Sequence, residues 1–199
     1  MREKGKGFFS TATKMTYGLT TTQSGYFEYG ITDRLTFGAS IDVNLEGGYA
    51  TSGMGHVFVR KPLKWKRGKW LWAYQLGLGT RIDALGKHPF TKTSLHFGKG
   101  ITWRDKGGWV SVDAEIEWAL GSANHVMKVD MTVGLNISPR SKAMLQVYTN
   151  VTQYEARITL APSYIFTPKA KKISYVIGLE APTSSRNDFG IKLGVWQKF

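Results

Sequence analysis

Apolar and polar positions alternate along most of this chain with a period of two, the repeat of a pleated strand whose faces meet different surroundings. Phe27, Tyr29 and Ile31 precede a polar turn at 32–34, and Leu35, Phe37, Ala39, Ile41 and Val43 follow it. Glu28, Gly30, Thr36, Gly38, Ser40, Asp42 and Asn44 take the opposite face. In the same way Trp72, Tyr74, Leu76, Leu78 and Ile82 stand against Gln75, Gly77, Gly79, Arg81 and Asp83. Val110, Val112, Ala114, Ile116, Trp118 and Leu120 oppose Ser111, Asp113, Glu115 and Glu117, and Met127 to Ile137 repeat the pattern against Lys128, Asp130, Thr132, Gly134 and Asn136. Helical periodicity is hard to find, so the fold class expected is all-β.

Turn-forming residues punctuate the pattern at 32–34, 66–68, 104–108, 138–141 and 167–169. Polar stretches at 18–24, 46–53, 84–92, 121–125, 152–155 and 181–188 read as somewhat longer connections between them. About twelve strands result, an even number that puts both termini on the side of the short turns. The less apolar face carries Gly, Ser, Thr and isolated charges, whereas the water-facing side of a β-sandwich is rich in Lys, Glu and Thr. A crowded, enclosed lumen suits the first composition. The pattern thus predicts an antiparallel, transmembrane up-and-down β-barrel, residues 1–199 forming a single domain. Trp65, Trp70, Trp72, Trp103 and Trp109, with Tyr164, Phe166 and Tyr175, fall near short turns and are expected to ring one edge at the membrane–water boundary.

Composition narrows the choice. No apolar run approaches the roughly 18 to 20 residues of a membrane-crossing helix, so any passage through lipid is by strands. Cysteine is absent, which excludes disulfides and thiolate metal sites. The basic start from Met1 to Lys6 is followed only by Gly7, Phe8 and Phe9 and no apolar leader core. An exported chain requires such a leader, so the sequence is expected to be a mature or truncated form.

In the run Asp188-Phe189-Gly190-Ile191-Lys192-Leu193-Gly194-Val195-Trp196-Gln197-Lys198-Phe199, apolar residues alternate toward a final aromatic. This resembles the terminal strand of Gram-negative outer-membrane β-barrel proteins, where a final Phe is read by the barrel-assembly machinery. The run Glu28-Tyr29-Gly30-Ile31-Thr32-Asp33-Arg34-Leu35-Thr36-Phe37-Gly38-Ala39 resembles a hairpin phrase of outer-membrane barrels of transport or unassigned function. The resemblance implies a bacterial outer-membrane location, outer-membrane lipids and the assembly machinery as partners, and Phe199 as assembly signal. Three residues depart from the pattern. Gln197 takes an outward position usually apolar. Lys99 falls on the apolar face between Phe97 and Ile101, where a midplane Lys costs roughly 2 to 4 kcal/mol unless it snorkels or a bulge shifts the register. Pro162 removes a ladder donor, which predicts a bend or bulge.

The formal charge of +13 raises nucleic acid as a partner. Many cations, however, lie at the short turns: Arg34, Lys64, Lys66, Arg67, Lys69, Arg104, Lys106, Arg140, Lys142, Lys169, Lys171 and Lys172. A ring of them beside anionic head groups gains up to about 1 kcal/mol per residue and accounts for the charge without nucleic acid. On the polar face, Asp113, Glu115 and Glu117 form a vertical stripe beside Lys128 and Asp130, while Lys14, Asp42, Arg60, Arg81, Arg157 and Lys192 also point inward. Two readings stand: an acidic wall facing a basic one, orienting a polar or charged solute, or a paired network that braces the interior. In a conducting lumen the acidic stripe is expected to favour cations.

Chemistry has thin support. Ser94 and His96 share a face, and His56 and Asp42 point inward from earlier strands, but no lipase-type signature surrounds them. No catalytic, cofactor or metal site is expected. The function expected is a narrow passive channel for small polar or charged solutes. The alternatives are a plugged structural or interaction barrel and a lipid-acting enzyme that would need a Ser/His pair in hydrogen-bonding contact.

Overall fold

The computed structural model describes residues 2–63, 70–169, 171–184 and 187–199. Among them run twelve strands: β1 (Gly7–Thr16), β2 (Thr21–Thr32), β3 (Leu35–Glu46), β4 (Tyr49–Leu63), β5 (Leu71–Asp83), β6 (Gly86–Trp103), β7 (Lys106–Ala119), β8 (His125–Ser138), β9 (Ser141–Val151), β10 (Ala156–Phe166), β11 (Ile173–Pro182) and β12 (Gly190–Lys198). Each pairs antiparallel with its sequence neighbours, and β1 pairs with β12 to close the barrel. Closure leaves no strand with a free edge, so the ladder's backbone hydrogen bonds are made from strand to strand inside the protein.

The two faces separate as the alternation requires. On β5, Leu76 is 52% exposed while its neighbour Gln75 is 3% exposed. Ile41, Leu78, Met131, Val133, Leu145, Ile177, Ile191 and Leu193 are exposed on the outside, whereas Glu28, Thr36, Ser94 and Glu117 are buried within. An exterior this apolar around a polar interior is the inverse of a water-soluble barrel and is lipid-facing.

The strands outrun the sequence-based expectation on the side opposite the termini. The connections expected at 18–24, 46–53 and 84–92 shrink to tight turns, because β2, β4 and β6 begin at Thr21, Tyr49 and Gly86. Polar residues there continue the ladder and satisfy one another across it: Thr22 Oγ1 donates to Asn44 Oδ1 at 2.9 Å, and Asn44 Nδ2 donates to Ser52 Oγ at 2.9 Å. Gly47 and Gly48, both at positive φ, make the β3–β4 turn possible.

The departures resolve individually. Lys99 snorkels: β6 keeps one register with both neighbours, and Nζ lies 5.6 Å from the Trp70 ring centroid. At Pro162 the β9 side stays fully paired, while the β10–β11 ladder skips Ala161 and Pro162 and resumes at Ser163 in the same register, so no bulge forms. Gln197 pairs with Phe9 and Ile173 near the end of β12, where the apolar belt meets water.

The aromatic ring needs correction. Trp70, Trp103, Tyr164, Phe166 and Tyr175 are exposed on the outside, but Trp109 turns inward and packs with Trp196 against the buried Met144, Ile165 and Val176. Gly134 on β8 lies under its indole, where a Cβ would overlap the ring. Trp65, with Lys64, Lys66, Arg67 and Lys69 of the basic ring, lies outside the described residues. Phe199 sits outside at the closing seam, stacked on Phe27 at 6.2 Å with its ring in the space left by Gly7.

Candidate functional site

The site is the lumen, and its charges fall into three groups. Nearest the termini, β2 presents Glu28 and Tyr26, β4 presents Arg60, and β5 presents Gln75. Arg60 crosses β3 to reach Glu28, and Gly38, which stands opposite Glu28 and Phe58 in the register, leaves the space that the Phe58 ring fills beneath the Arg60 guanidinium. Arg60 Nη1 then meets Glu28 Oε1 at 2.5 Å, Nε and Nη2 meet Gln75 Oε1 at 3.0 and 2.8 Å, and Nη2 reaches Tyr26 Oη at 3.2 Å. Tyr26 Oη donates in turn to Glu28. Arg60 thus spreads its donors over three partners, and hydrogen bonds that satisfy the remaining donors are what make a buried ion pair tolerable.

The acidic stripe of β7 is the second group, and it is paired. Lys92 Nζ from β6 lies 2.8 Å from Glu115, Lys128 Nζ from β8 lies 2.6 Å from Glu117, and Arg81 Nη2 from β5 lies 2.9 Å from Glu117. Asp113 Oδ1 binds His96 Nδ1 at 2.6 Å. Glu115 and Glu117 thus meet three cations and Asp113 meets His96, so the three carboxylates stand beside three formal positive charges and the stripe as a whole carries no surplus. This is the geometry of a paired network, the second of the two readings of the inward charges.

Across the barrel, Glu180 bridges Lys192 at 3.1 Å and Lys14 at 3.3 Å. Of the other inward residues named from sequence, Asp42 accepts from Ser24 Oγ at 2.6 Å, and Asp130 stands opposite Asp113 and Tyr148 in the strand register. Arg157 reaches Glu155 and Asp188 near the far rim, where all three are exposed or half-exposed.

Three cavities, of about 510, 1110 and 990 Å³, follow one another from the far rim to the termini. The first two meet at Asp130 and Tyr148. The second and third meet at a neck of Tyr26, Arg60, Ser111, Asp113 and Gln146. Among the described residues, seven cations line the third cavity (Arg2, Lys6, Arg60, Lys142, Lys171, Lys172 and Lys198) with the side-chain carboxylates of Glu28 and Asp113. Part of the expected head-group ring therefore belongs to the interior: Lys142 shares the inward face of β9 with Met144, its Nζ 5.5 Å from the Trp109 ring.

The catalytic candidates do not converge. Asp42 is engaged by Ser24, and Ser94 Oγ and His96 Nε2 have no hydrogen-bond partner. The Ser–His contact that does form joins Ser40 Oγ and His56 Nδ1 at 3.2 Å, on other strands from the His96–Asp113 pair. Among the described residues no group of three or more His, Cys, Asp or Glu could hold a metal.

Several lumenal residues escaped the sequence reading. Lys92 falls within an expected connection and Glu180 adjoins one, yet both have the parity of the inward face. Tyr26, Phe58, Trp109, Tyr148 and Trp196 face in although their type argues for lipid; a small residue opposite, Gly38 for Phe58 and Gly134 for Trp109, was the available signal.

No family model and no curated protein sequence matches the chain. Solved structures do. The KdgM porin superposes with a TM-score of 0.71 at 8% identity, covering 96% of this chain and 99% of that one, and it has also been solved in complex with disordered oligogalacturonate. The NanC porin gives 0.67 at 13% identity over 96% and 100% of the two chains. The COG4313 outer membrane channel from Pseudomonas putida F1 gives 0.60 at 12% identity over 100% and 97%. At these identities the likeness is one of fold.

Proposed function

We propose that this barrel is a narrow passive channel of the bacterial outer membrane, with a preference for small anionic solutes. One observation carries the reading: with the β7 carboxylates neutralised in place, the uncompensated charge of the lumen is positive and is concentrated in the cavity beside the termini. Low-dielectric walls around such a surplus raise the local concentration of anions and lower that of cations. The fold agrees, since barrels of the same shape include porins, among them one solved with an acidic oligosaccharide. The lipid-facing exterior and the aromatic residues at the termini-bearing rim fit insertion with that rim toward the periplasm.

The test is reversal potential in planar bilayers under a KCl gradient. Anion selectivity that weakens as salt rises and screening lengths fall is the expected outcome. Cation selectivity would refute the charge reading. Absence of conductance from folded protein would favour a plugged barrel.

A further inference from the structure

The segment preceding β1 is tied into the mouth of the barrel. The Gly5 amide donates to the Gly30 carbonyl at 2.9 Å, and the Gly30 amide to the Lys6 carbonyl at 3.0 Å. The Lys4 amide reaches Asp33 Oδ1 at 3.1 Å and the Arg2 amide reaches Thr36 Oγ1 at 3.2 Å. Gly5, at a φ of 74°, and a bond from the Lys6 amide to the Glu3 carbonyl at 3.0 Å fold this strap back on itself. Its end enters the lumen, where Arg2 Nε donates to Glu28 Oε2 at 2.7 Å and the guanidinium lies 4.6 Å from the Phe8 ring centroid. Gly30 leaves the space the strap fills: the three atoms nearest to a Cβ built there belong to the backbone of Glu3 and Arg2.

We propose that residues 2–6 form part of the channel wall and that Arg2 is a selectivity-determining residue of the pore. Glu28 is shared between Arg2 and Arg60, and one carboxylate cannot neutralise two guanidiniums. The surplus cation stands beside the neck, where the cavities meet and every solute passes close to it. The strap also occupies cross-section in the mouth, so its seating sets conductance as well as charge. A mobile tail would do neither.

The role of Arg2 rests on the conduction proposed above, and two variants separate the two. Gly30→Ala places a methyl group against the strap backbone and leaves every lumenal charge in the sequence. Arg2→Gln removes the charge and leaves the strap its backbone bonds. Each protein is refolded, verified as a closed barrel by its heat-modifiable gel mobility, and measured in planar bilayers in KCl. Gly30→Ala is expected to raise unit conductance and to lower the chloride-to-potassium permeability ratio by about twofold, the scale of one unit charge acting through water-filled space with screening. Arg2→Gln is expected to lower the ratio by a similar factor with a smaller change in conductance. A conducting wild type matched by both variants in ratio and conductance would overturn the strap's role and leave the channel reading standing. A silent wild type with a conducting Gly30→Ala would keep the strap as a wall element and overturn the open channel. Silence from all three folded proteins would overturn both.

Discussion

Glu117→Gln tests whether the inner network stabilises the barrel. The Glu117 side chain is 3% exposed and faces Lys128 at 2.6 Å, Arg81 at 2.9 Å and Lys92 at 3.9 Å. Removing one partner of a buried pair costs about 3 to 5 kcal/mol, because a desolvated charge is left behind. The three cations do not share that cost equally. Arg81 is 41% exposed and relaxes into lumenal water, so its contribution is small. Lys92 keeps Glu115 at 2.8 Å, whereas Lys128 keeps only a 3.8 Å contact with the same carboxylate. The loss should therefore fall near 2 to 3 kcal/mol, most of it charged to Lys128. Urea titration of the barrel in lipid vesicles measures it, with exposed Glu155→Gln, expected within about 0.5 kcal/mol of wild type, as the control. Pairing Glu117→Gln with Lys128→Met should recover at least about 1 kcal/mol of coupling. If Glu117→Gln behaves like Glu155→Gln, or the two changes simply add, the pairs are open to water and the neutralised stripe loses its basis. The same substitution should strengthen anion preference, because it leaves cationic charge uncompensated in the lumen.

Three further outcomes follow from geometry already described. Cysteine at Leu76 should be reached by lipid-soluble reagents and protected from aqueous maleimide, while cysteine at Gln75 should react with maleimide through the lumen; uniform aqueous labelling of both would remove the membrane assignment. Gly38→Ala should cost about 1 to 3 kcal/mol in urea midpoint measurements by driving a methyl into the Phe58 ring, and wild-type stability would mean that the ring has free space to move into. Deleting Phe199 should slow assembly into the outer membrane of cells more than it lowers the stability of barrels already folded in detergent, and unchanged assembly kinetics would count against a signal role for that residue.

What could be read from the sequence was whatever depends on one strand at a time. Parity along β3, β5, β7 and β8 assigned Ile41, Leu76, Val112 and Val133 to one face and Asp42, Gln75, Ser111 and Thr132 to the other, since a side chain's face follows from its neighbours in the chain. Pairing could not be read. Whether Lys92 meets Glu115 depends on how β6 and β7 align, and Arg60 reaches Glu28 across an intervening strand, a contact that no single strand's pattern contains. Polar composition also misled at 18–24 and 84–92, where Thr and Lys residues that resemble loop sequence belong to ladders rising past the apolar belt. Trp109 shows the same limit: aromatic character suggests lipid, while the empty space above Gly134 decides otherwise.

The seam between β1 and β12 imposes an order of events. Phe8 is partnered by Lys198, and Gly7 exchanges backbone hydrogen bonds with Phe199 at 2.8 and 3.2 Å. The first strand made thus waits for the last before its second edge is satisfied, and the sequence separation spanned by that one pairing is nearly the whole chain. Contacts so distant along the chain form slowly, because the loop they close must be ordered before they repay its entropy. Until then β1 carries an open row of donors and acceptors beside an apolar face, a template for pairing with other chains. Pairing of β1 with β12 is what removes that template from both strands at once.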